Sequence, residues 1–233
     1  ITKVYDAGTT ASVPLNQFTL TGVVGGEDVS FISTSTTYNN KNAGTAKTIT
    51  VAGIALDGTE AGNYSLAITS LNTTGDITAK PLTLTVSNTP TITKVYDGND
   101  NATIPLAQYT LSGVLGNENV GFSTTDVNYD NKNVGIGKSI TASGIALNGT
   151  DAANYSLAIT SLTTTGDITV KPLTLTVSIT PAITKVYDGN DSAVIPANQF
   201  TLSGKVGSEV VNFDYTDISF DDKLSQVESL MEQ

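Results

Sequence analysis

The stretch Lys-Pro-Leu-Thr-Leu-Thr-Val, from Lys80 to Val86, decides the fold class of this chain. Its apolar residues alternate with threonines, which is the period-two pattern of a β-strand with one buried face. Proline cannot donate a ladder hydrogen bond and belongs at the start or edge of a strand. The stretch therefore predicts a strand that opens a structural unit, and the same seven residues return at 171–177.

A second stretch shows that the chain is a tandem array. Ile-Thr-Lys-Val-Tyr-Asp stands at 1–6, 92–97 and 183–188, an interval of 91 residues. A fixed interval indicates one supersecondary unit used several times. With the boundaries placed before each Lys-Pro strand, the predicted units are a first repeat that lacks its opening strand (1–80), a complete second repeat (81–171), a truncated third repeat (172–223) and a non-repeat, possibly helical tail (224–233).

Composition and turn placement indicate the fold class. Threonine, valine, isoleucine and tyrosine dominate the segments between turns rich in glycine and asparagine, and these residues favour strands. Tyr64 and Tyr155 each follow a turn that enters a penultimate strand, the setting of a tyrosine corner. A simply buried aromatic explains them equally well. We expect an all-β chain of tandem immunoglobulin-like β-sandwich repeats, elongated overall.

The charge balance narrows the function classes. The chain carries 22 acidic residues against 11 basic ones, with a net charge of −11, and every basic residue is lysine. Nucleic acid is an unsuitable partner, because phosphate recognition uses basic patches and arginine forks. Without histidine or cysteine, the usual acid-base and thiol chemistry is missing, so we expect no enzyme. No run approaches the ~20 apolar residues of a membrane helix, so we expect no membrane insertion.

Two acidic turns are candidate calcium sites. Asp-Gly-Asn-Asp-Asn begins at residue 97 and Asp-Gly-Asn-Asp-Ser at residue 188, and calcium takes carboxylate and amide oxygens as ligands. The candidate ligands are Asp97, Asn99, Asp100, Asn101, Asp188, Asn190 and Asp191. The spacing is not that of an EF-hand loop, and a polar turn at a domain boundary explains the same residues without a metal.

A lysine crosslink is another candidate feature. An isopeptide bond needs a buried lysine held against a carboxyl or carboxamide group beside a second acid. The recurring polar candidates are Lys94, Asp97, Glu118, Asn133 and Asn154. Solvated surface residues are the commoner explanation of such a set.

Several short motifs in fixed order carry a family resemblance. Lys-Val-Tyr-Asp-Gly-Asn at 94–99 is followed by Asn-Tyr-Ser-Leu at 154–157, Gly-Asp-Ile-Thr at 166–169 and Leu-Thr-Leu-Thr at 173–176. This order resembles the YDG repeat of large secreted bacterial adhesins of the haemagglutinin and two-partner-secretion type, over residues 1–223. The resemblance implies a β-rich extracellular repeat in the stalk of a surface fibre. The first copy departs from it, with Ala-Gly-Thr at 7–9 in place of Gly-Asn-Asp.

Together these observations predict a structural spacer in a bacterial cell-surface or secreted adhesin, which presents a distal binding region and contacts neighbouring repeats of the parent protein. One alternative is a module whose loops at 38–43 and 129–134 bind a glycan or a host surface protein. Another is a subunit of an extracellular fibre that associates head to tail through open strand edges.

Overall fold

The computed structural model describes residues 1–221, so the predicted tail at 224–233 lies outside the described residues. The described chain is all-β, as the alternating pattern predicts. The strands β1 to β17 are, in chain order, Thr2–Val4, Ser30–Ile32, Ser35–Tyr38, Gly44–Ala52, Ala55–Asp57, Ser70–Thr78, Lys80–Val86, Ile92–Val95, Tyr109–Ser112, Gly121–Ser123, Asp126–Tyr129, Gly135–Ser143, Ala146–Asn148, Tyr155–Leu157, Ser161–Thr169, Thr174–Val177 and Phe200–Ser203.

Helical structure over residues 1–221 is confined to single 3-10 turns. They are Leu15–Gln17, Ala61–Asn63, Leu106–Gln108, Ala152–Asn154 and Ala197–Gln199. A membrane-crossing helix, which would have to be long and apolar, is absent from this part of the chain.

Residues 1–80 and 81–171, called here the first and second segments, each contain a four-stranded sheet. The orders are β1-β6-β4-β3 and β8-β15-β12-β11. In each sheet the strand from the Ile-Thr-Lys-Val stretch lies at the edge and runs parallel to its neighbour, β1 beside β6 and β8 beside β15. In residues 1–6, Ile1, Lys3 and Tyr5 alternate with Thr2, Val4 and Asp6, so both faces are mixed, which predicts an edge strand or a strand end. The edge position of β1 confirms this prediction. The other pairs in these sheets are antiparallel.

The Lys-Pro strand β7 is the centre of a second sheet, with order β14-β7-β9. It pairs antiparallel with β9 and parallel with β14. Leu82 and Leu84 are buried and the threonines between them are exposed, as the alternation predicts. In the third segment, residues 172–221, the equivalent strand β16 pairs with β17 alone.

Two stretches of the first segment show the period-two alternation that predicts a strand, yet neither forms one. Phe18 and Leu20, and likewise Tyr64 and Leu66, lie in alternating stretches, yet residues 18–21 and 64–66 have no strand assignment. The matching stretches of the second segment are β9 and β14, and both pair with β7. The prediction is wrong in the first segment because that segment contains no equivalent of β7 to supply the ladder hydrogen bonds.

The buried apolar residues form two core clusters, and one of them crosses the boundary between the first and second segments. One consists of Ile92, Ile104, Tyr129, Ile140, Ala142 and Ile168, all within the second segment. The other joins four residues of the first segment to two of the second, namely Tyr5, Tyr38, Ile49, Ile77, Leu82 and Tyr155. The first and second segments therefore share a continuous apolar core.

The chain passes between the first and second segments without a linker. β6 ends at Thr78 and β7 begins at Lys80, so one residue connects them. The sheets to which these strands belong lie in different segments. The predicted boundary at residues 80 and 81 falls after the first residue of β7, and as a division into domains it stays a prediction.

Candidate functional site

The carboxylate of Glu118 is the centre of a polar cluster between the first and second segments. Tyr5 donates its hydroxyl hydrogen to Glu118 Oε1 at 2.5 Å, and Tyr155 donates to Oε2 at 2.5 Å. The ammonium of Lys41 lies 2.8 Å from Oε1. Tyr5 and Lys41 belong to the first segment, whereas Glu118 and Tyr155 belong to the second. We call these four residues the first joint.

Local structure places each member of the first joint. Tyr5 follows the edge strand β1, and Lys41 lies in the loop between β3 and β4. Tyr155 begins β14, and its hydroxyl oxygen accepts a hydrogen bond from the backbone N–H of Leu115 at 3.0 Å. Glu118 lies in the turn between β9 and β10. The joint therefore connects one end of the first sheet to the turns of the next segment.

The joint also has an apolar part and a backbone contact. The rings of Tyr5 and Tyr155 meet edge to face, with centroids 5.5 Å apart, an arrangement that aromatic pairs favour. Both side chains are buried in the core cluster that contains Leu82. The backbone N–H of Ala43 donates to Asn154 Oδ1 at 2.9 Å. Packing and hydrogen bonds together hold the two segments in one arrangement.

Electrostatics reinforce this geometry. The Lys41 ammonium, with the hydroxyls of Tyr155 and Tyr5, lowers the pKa of Glu118 to about 2, although partial burial opposes the shift. Burial, followed by the hydrogen bond to Glu118, raises the pKa of Tyr5 and of Tyr155. Glu118 is thus ionised and both tyrosines are protonated at neutral pH. Hydrogen bonds to a charged acceptor contribute about 1.5–3 kcal/mol each.

The same residues recur at the next boundary. Tyr96, which is Tyr5 moved by one repeat, donates to Glu209 of the third segment. Lys132 lies 3.7 Å from the same carboxylate. We call Tyr96, Lys132 and Glu209 the second joint. Over the residues that the structure describes, this joint has no partner at the position that Tyr155 holds in the first.

In the first segment the equivalent carboxylate makes only a local bond. Glu27 accepts a hydrogen bond from Tyr64, and the Tyr64 oxygen accepts one from the backbone N–H of Val24. The arrangement matches that of Glu118, Tyr155 and Leu115. In both segments the tyrosine hydroxyl reaches a turn 37 and 40 residues upstream. The short-range hydrogen bond expected of a tyrosine corner is therefore not the one that these tyrosines make.

The predicted calcium ligands lie in turns that already surround a lysine ammonium. Lys94 Nζ lies 2.7 Å from Asp97 Oδ1 and donates to the side-chain and backbone oxygens of Asn99 at 3.0 and 2.9 Å. It also donates to the carbonyl of Asn101 at 2.9 Å. The ion pair lowers the pKa of Asp97. The Lys94 ammonium thus contacts oxygens that the sequence analysis predicts as calcium ligands.

The later turn repeats this arrangement around Lys185, which contacts Asp188, Asn190 and the carbonyl of Ser192. Asp100 and Asp191 have exposed side chains. Within residues 1–221, no group of three or more acidic side chains is placed to hold a metal. Calcium binding at these turns stays a prediction, for which the lysine ammonium is a competitor.

The crosslink candidates do not form one cluster. Lys94 contacts Asp97, as described above, whereas Glu118 contacts Lys41 and Asn154 accepts from Ala43. The sequence reasoning missed Tyr5 and Lys41 as site residues. A signal was available, because the tyrosine, the lysine and the glutamate all recur at the 91-residue interval. Their spacing could not show that they meet across a boundary.

The comparisons with known proteins agree with these repeated features. Neither the curated proteins nor the solved structures contain a match to this chain. The family model described as the YDG domain matches it three times, at residues 1–73, 78–165 and 170–226. Because these matches cover most of the sequence, the chain belongs to the YDG domain family.

Proposed function

We propose that this chain is a structural spacer in a bacterial cell-surface or secreted adhesin and that it holds a distal binding region away from the cell. The first joint carries the proposal. A spacer must transmit position through its boundaries, and here three side chains from two segments contact the part-buried carboxylate of Glu118. Two of them, Tyr5 and Tyr155, also lie in one core cluster that spans both segments. The connection between β6 and β7 is one residue long, which also limits movement of the first segment relative to the second.

We also propose that the repeating unit is an immunoglobulin-like β-sandwich of 91 residues and that successive units form an elongated rod. The equivalent elements of the first and second segments support this, since Gly44–Ala52 and Gly135–Ser143 occupy the same place in their sheets. In this proposal the tandem order places one joint at every boundary. No reaction is assigned to the chain.

The binding-module alternative draws less support. Its loops, 38–43 and 129–134, begin at Tyr38 and Tyr129, and both rings are buried. The first loop also supplies Lys41 and Ala43 to the joint. Exposed aromatics and free loop backbone are what a glycan or protein site would use. Lys41 and Ala43 contact the second segment instead, and the two tyrosines are packed within their own segments.

Spin-label distances test the spacer proposal directly, because the chain has no cysteine of its own. Thr48→Cys and Thr163→Cys place labels on exposed strand positions of the first and second segments. We expect a narrow distance distribution, broadened by Glu118→Ala. Glu27→Ala is the matched control, since Glu27 contacts only its own segment, and it should leave the distribution unchanged.

A broad distribution in the unmodified chain would refute a stiff boundary. Binding of the purified chain to a glycan array or to host surface proteins would favour the alternative module.

A further inference from the structure

The turn after β13 contains an asparagine that is followed directly by glycine, and Asn148-Gly149 is the one such pair in the sequence. Asn148 ends β13, its side chain is exposed, and Gly149 has a φ of +106°. Gly149 follows the last ladder pair, Asn148 with Gly121, so its backbone nitrogen lies outside the sheet. Asparagine is thermolabile, and a following glycine places no side chain against an approaching amide. The turn therefore presents a side-chain amide beside an accessible backbone nitrogen.

The reaction that joins these two groups is deamidation. The Gly149 nitrogen loses its proton to hydroxide and attacks Asn148 Cγ, which forms a succinimide ring and breaks the bond from Cγ to Nδ2. Nδ2 takes a proton from water and leaves as ammonia. Water then opens the ring at either carbonyl. Cleavage at Cγ gives aspartate, whereas cleavage at the former backbone carbonyl gives isoaspartate, which lengthens the main chain by one carbon.

The first segment shows that the aspartate product fits this turn. Asp57-Gly58 occupies the equivalent place at the end of β5, and Gly58 also has a positive φ, +116°. A Cβ added to either glycine would lie 2.3 Å from a backbone oxygen, that of Asp28 in the first segment and that of Asn119 in the second. The two turns share one geometry, so the isoaspartate product alone would be foreign to it.

The turn is connected to the first joint through residues close in sequence. The Asp151 N–H donates to the carbonyl of Asn119 at 3.1 Å, and the Asn119 N–H donates to Asp151 Oδ2 at 2.9 Å. Asn119 follows Glu118 directly, and the residues after Asp151 supply Asn154 and Tyr155 to the contacts with the first segment. An extra main-chain carbon immediately before this turn would therefore displace the residues that hold the joint.

We propose that Asn148 is a site of spontaneous deamidation and that its isoaspartate product loosens the first joint as the chain ages. The Asp-Gly pairs at 97–98 and 188–189 close the same ring far more slowly, because an ionised carboxylate is a poor leaving group and each is paired with a lysine. This inference goes beyond the spacer role, since it concerns a chemical change at one turn and its effect on the geometry of the joint.

Ageing of the purified chain in warm, mildly alkaline buffer tests the reaction. Peptide mapping by mass spectrometry should show Asn148 converted several-fold faster than any other asparagine, and enzymatic methylation of isoaspartate should label the same peptide. Asp57→Asn builds a second Asn-Gly pair in the matching turn and should introduce a second site of similar rate. Asn148→Gln is the unreactive control. Conversion of Asn148 no faster than that of the other asparagines would overturn the proposal.

Spin-label distances measure the effect on the joint. In the chain with Thr48→Cys and Thr163→Cys, aged under reductant and labelled afterwards, the distance distribution should broaden. The aged Asn148→Gln variant and the fresh Asn148→Asp variant should keep the narrow distribution. An aged chain that contains isoaspartate yet keeps a narrow distribution would overturn the link to the joint. The fresh unmodified chain tests the spacer proposal by itself, so the failure of one proposal is distinguishable from the failure of the other.

Discussion

The first and second joints use the same residues but differ in completeness. In the first joint, the Glu118 side chain is 12% exposed and accepts hydrogen bonds from two tyrosines. Its lysine lies 2.8 Å away. In the second, Glu209 is 35% exposed, and its lysine is 3.7 Å away. Tyr5 is fully buried, whereas its equivalent Tyr96 is half-buried.

The difference teaches that the first joint draws on two separate elements of the following segment. Glu118 comes from the turn after β9, but Tyr155 comes from β14, almost forty residues later. The third segment supplies the turn with Glu209, and its described residues contain no equivalent of β14. Within the described residues, Glu209 accepts from one tyrosine only, is more exposed than Glu118 and lies farther from its lysine.

The largest expected difference between the two boundaries concerns the first leucine of the Lys-Pro-Leu-Thr-Leu-Thr-Val stretch. Leu82→Ala removes a buried side chain from the shared core cluster and should lower the free energy of unfolding by about 2–5 kcal/mol. Leu173→Ala, at the equivalent position, should cost well under half as much, because that side chain is partly solvated. Urea unfolding followed by circular dichroism measures both. Equal losses would mean that the third segment is as well packed as the second.

A smaller difference is expected from the glutamates. Glu118→Ala leaves the hydroxyls of Tyr5 and Tyr155 without their acceptor and should cost about 1–3 kcal/mol. Glu209→Ala removes a more exposed group and should cost less than about 1 kcal/mol. Thermal unfolding of the two variants makes the comparison, with Glu27→Ala as a control for the bond within one segment. A larger loss from Glu209→Ala would contradict the ranking of the two joints.

Acid should weaken the first joint. The folded-state pKa of Glu118, about 2, lies below its unfolded value of about 4.3. A depressed pKa contributes stability that is complete above the unfolded value and is lost as pH falls toward the folded value. The Tm should therefore fall between about pH 5 and pH 2, and Glu118→Gln should flatten part of that fall. An identical pH profile in the variant would show that Glu118 contributes nothing to acid sensitivity.

The smallest expected effect is that of calcium on the turns that surround Lys94 and Lys185. Lys94→Met removes the cation that Asp97, Asn99 and Asn101 surround and should cost about 1 kcal/mol. We expect calcium to leave the Tm of the unmodified chain unchanged relative to chelator, because Lys94 occupies the oxygens. Thermal unfolding with calcium and with chelator checks this for both chains, and calorimetric titration with calcium measures any binding directly. Calcium binding to the unmodified chain would favour the metal hypothesis over the lysine.

Much of the fold was accessible from local pattern. The alternation in β7 predicts a strand with buried leucines, and the repeat interval predicts that the same elements return. The failures occurred where identical patterns have different neighbours. Tyr-Ser-Leu is a strand at 155–157 and unpaired at 64–66, because a strand requires a partner that its own sequence does not encode.

The amino-acid sequence by itself determined the all-β class, the 91-residue interval, the edge position of the first strand and the absence of histidine, cysteine and arginine chemistry. These follow from composition and from periodicity along the chain. Tertiary structure alone decided that Tyr5 and Lys41 share Glu118 with Tyr155, and that Lys94 lies among the oxygens of its own turn. Such contacts join residues up to 113 positions apart or depend on how a backbone turns, and neither leaves a periodic signal in the sequence.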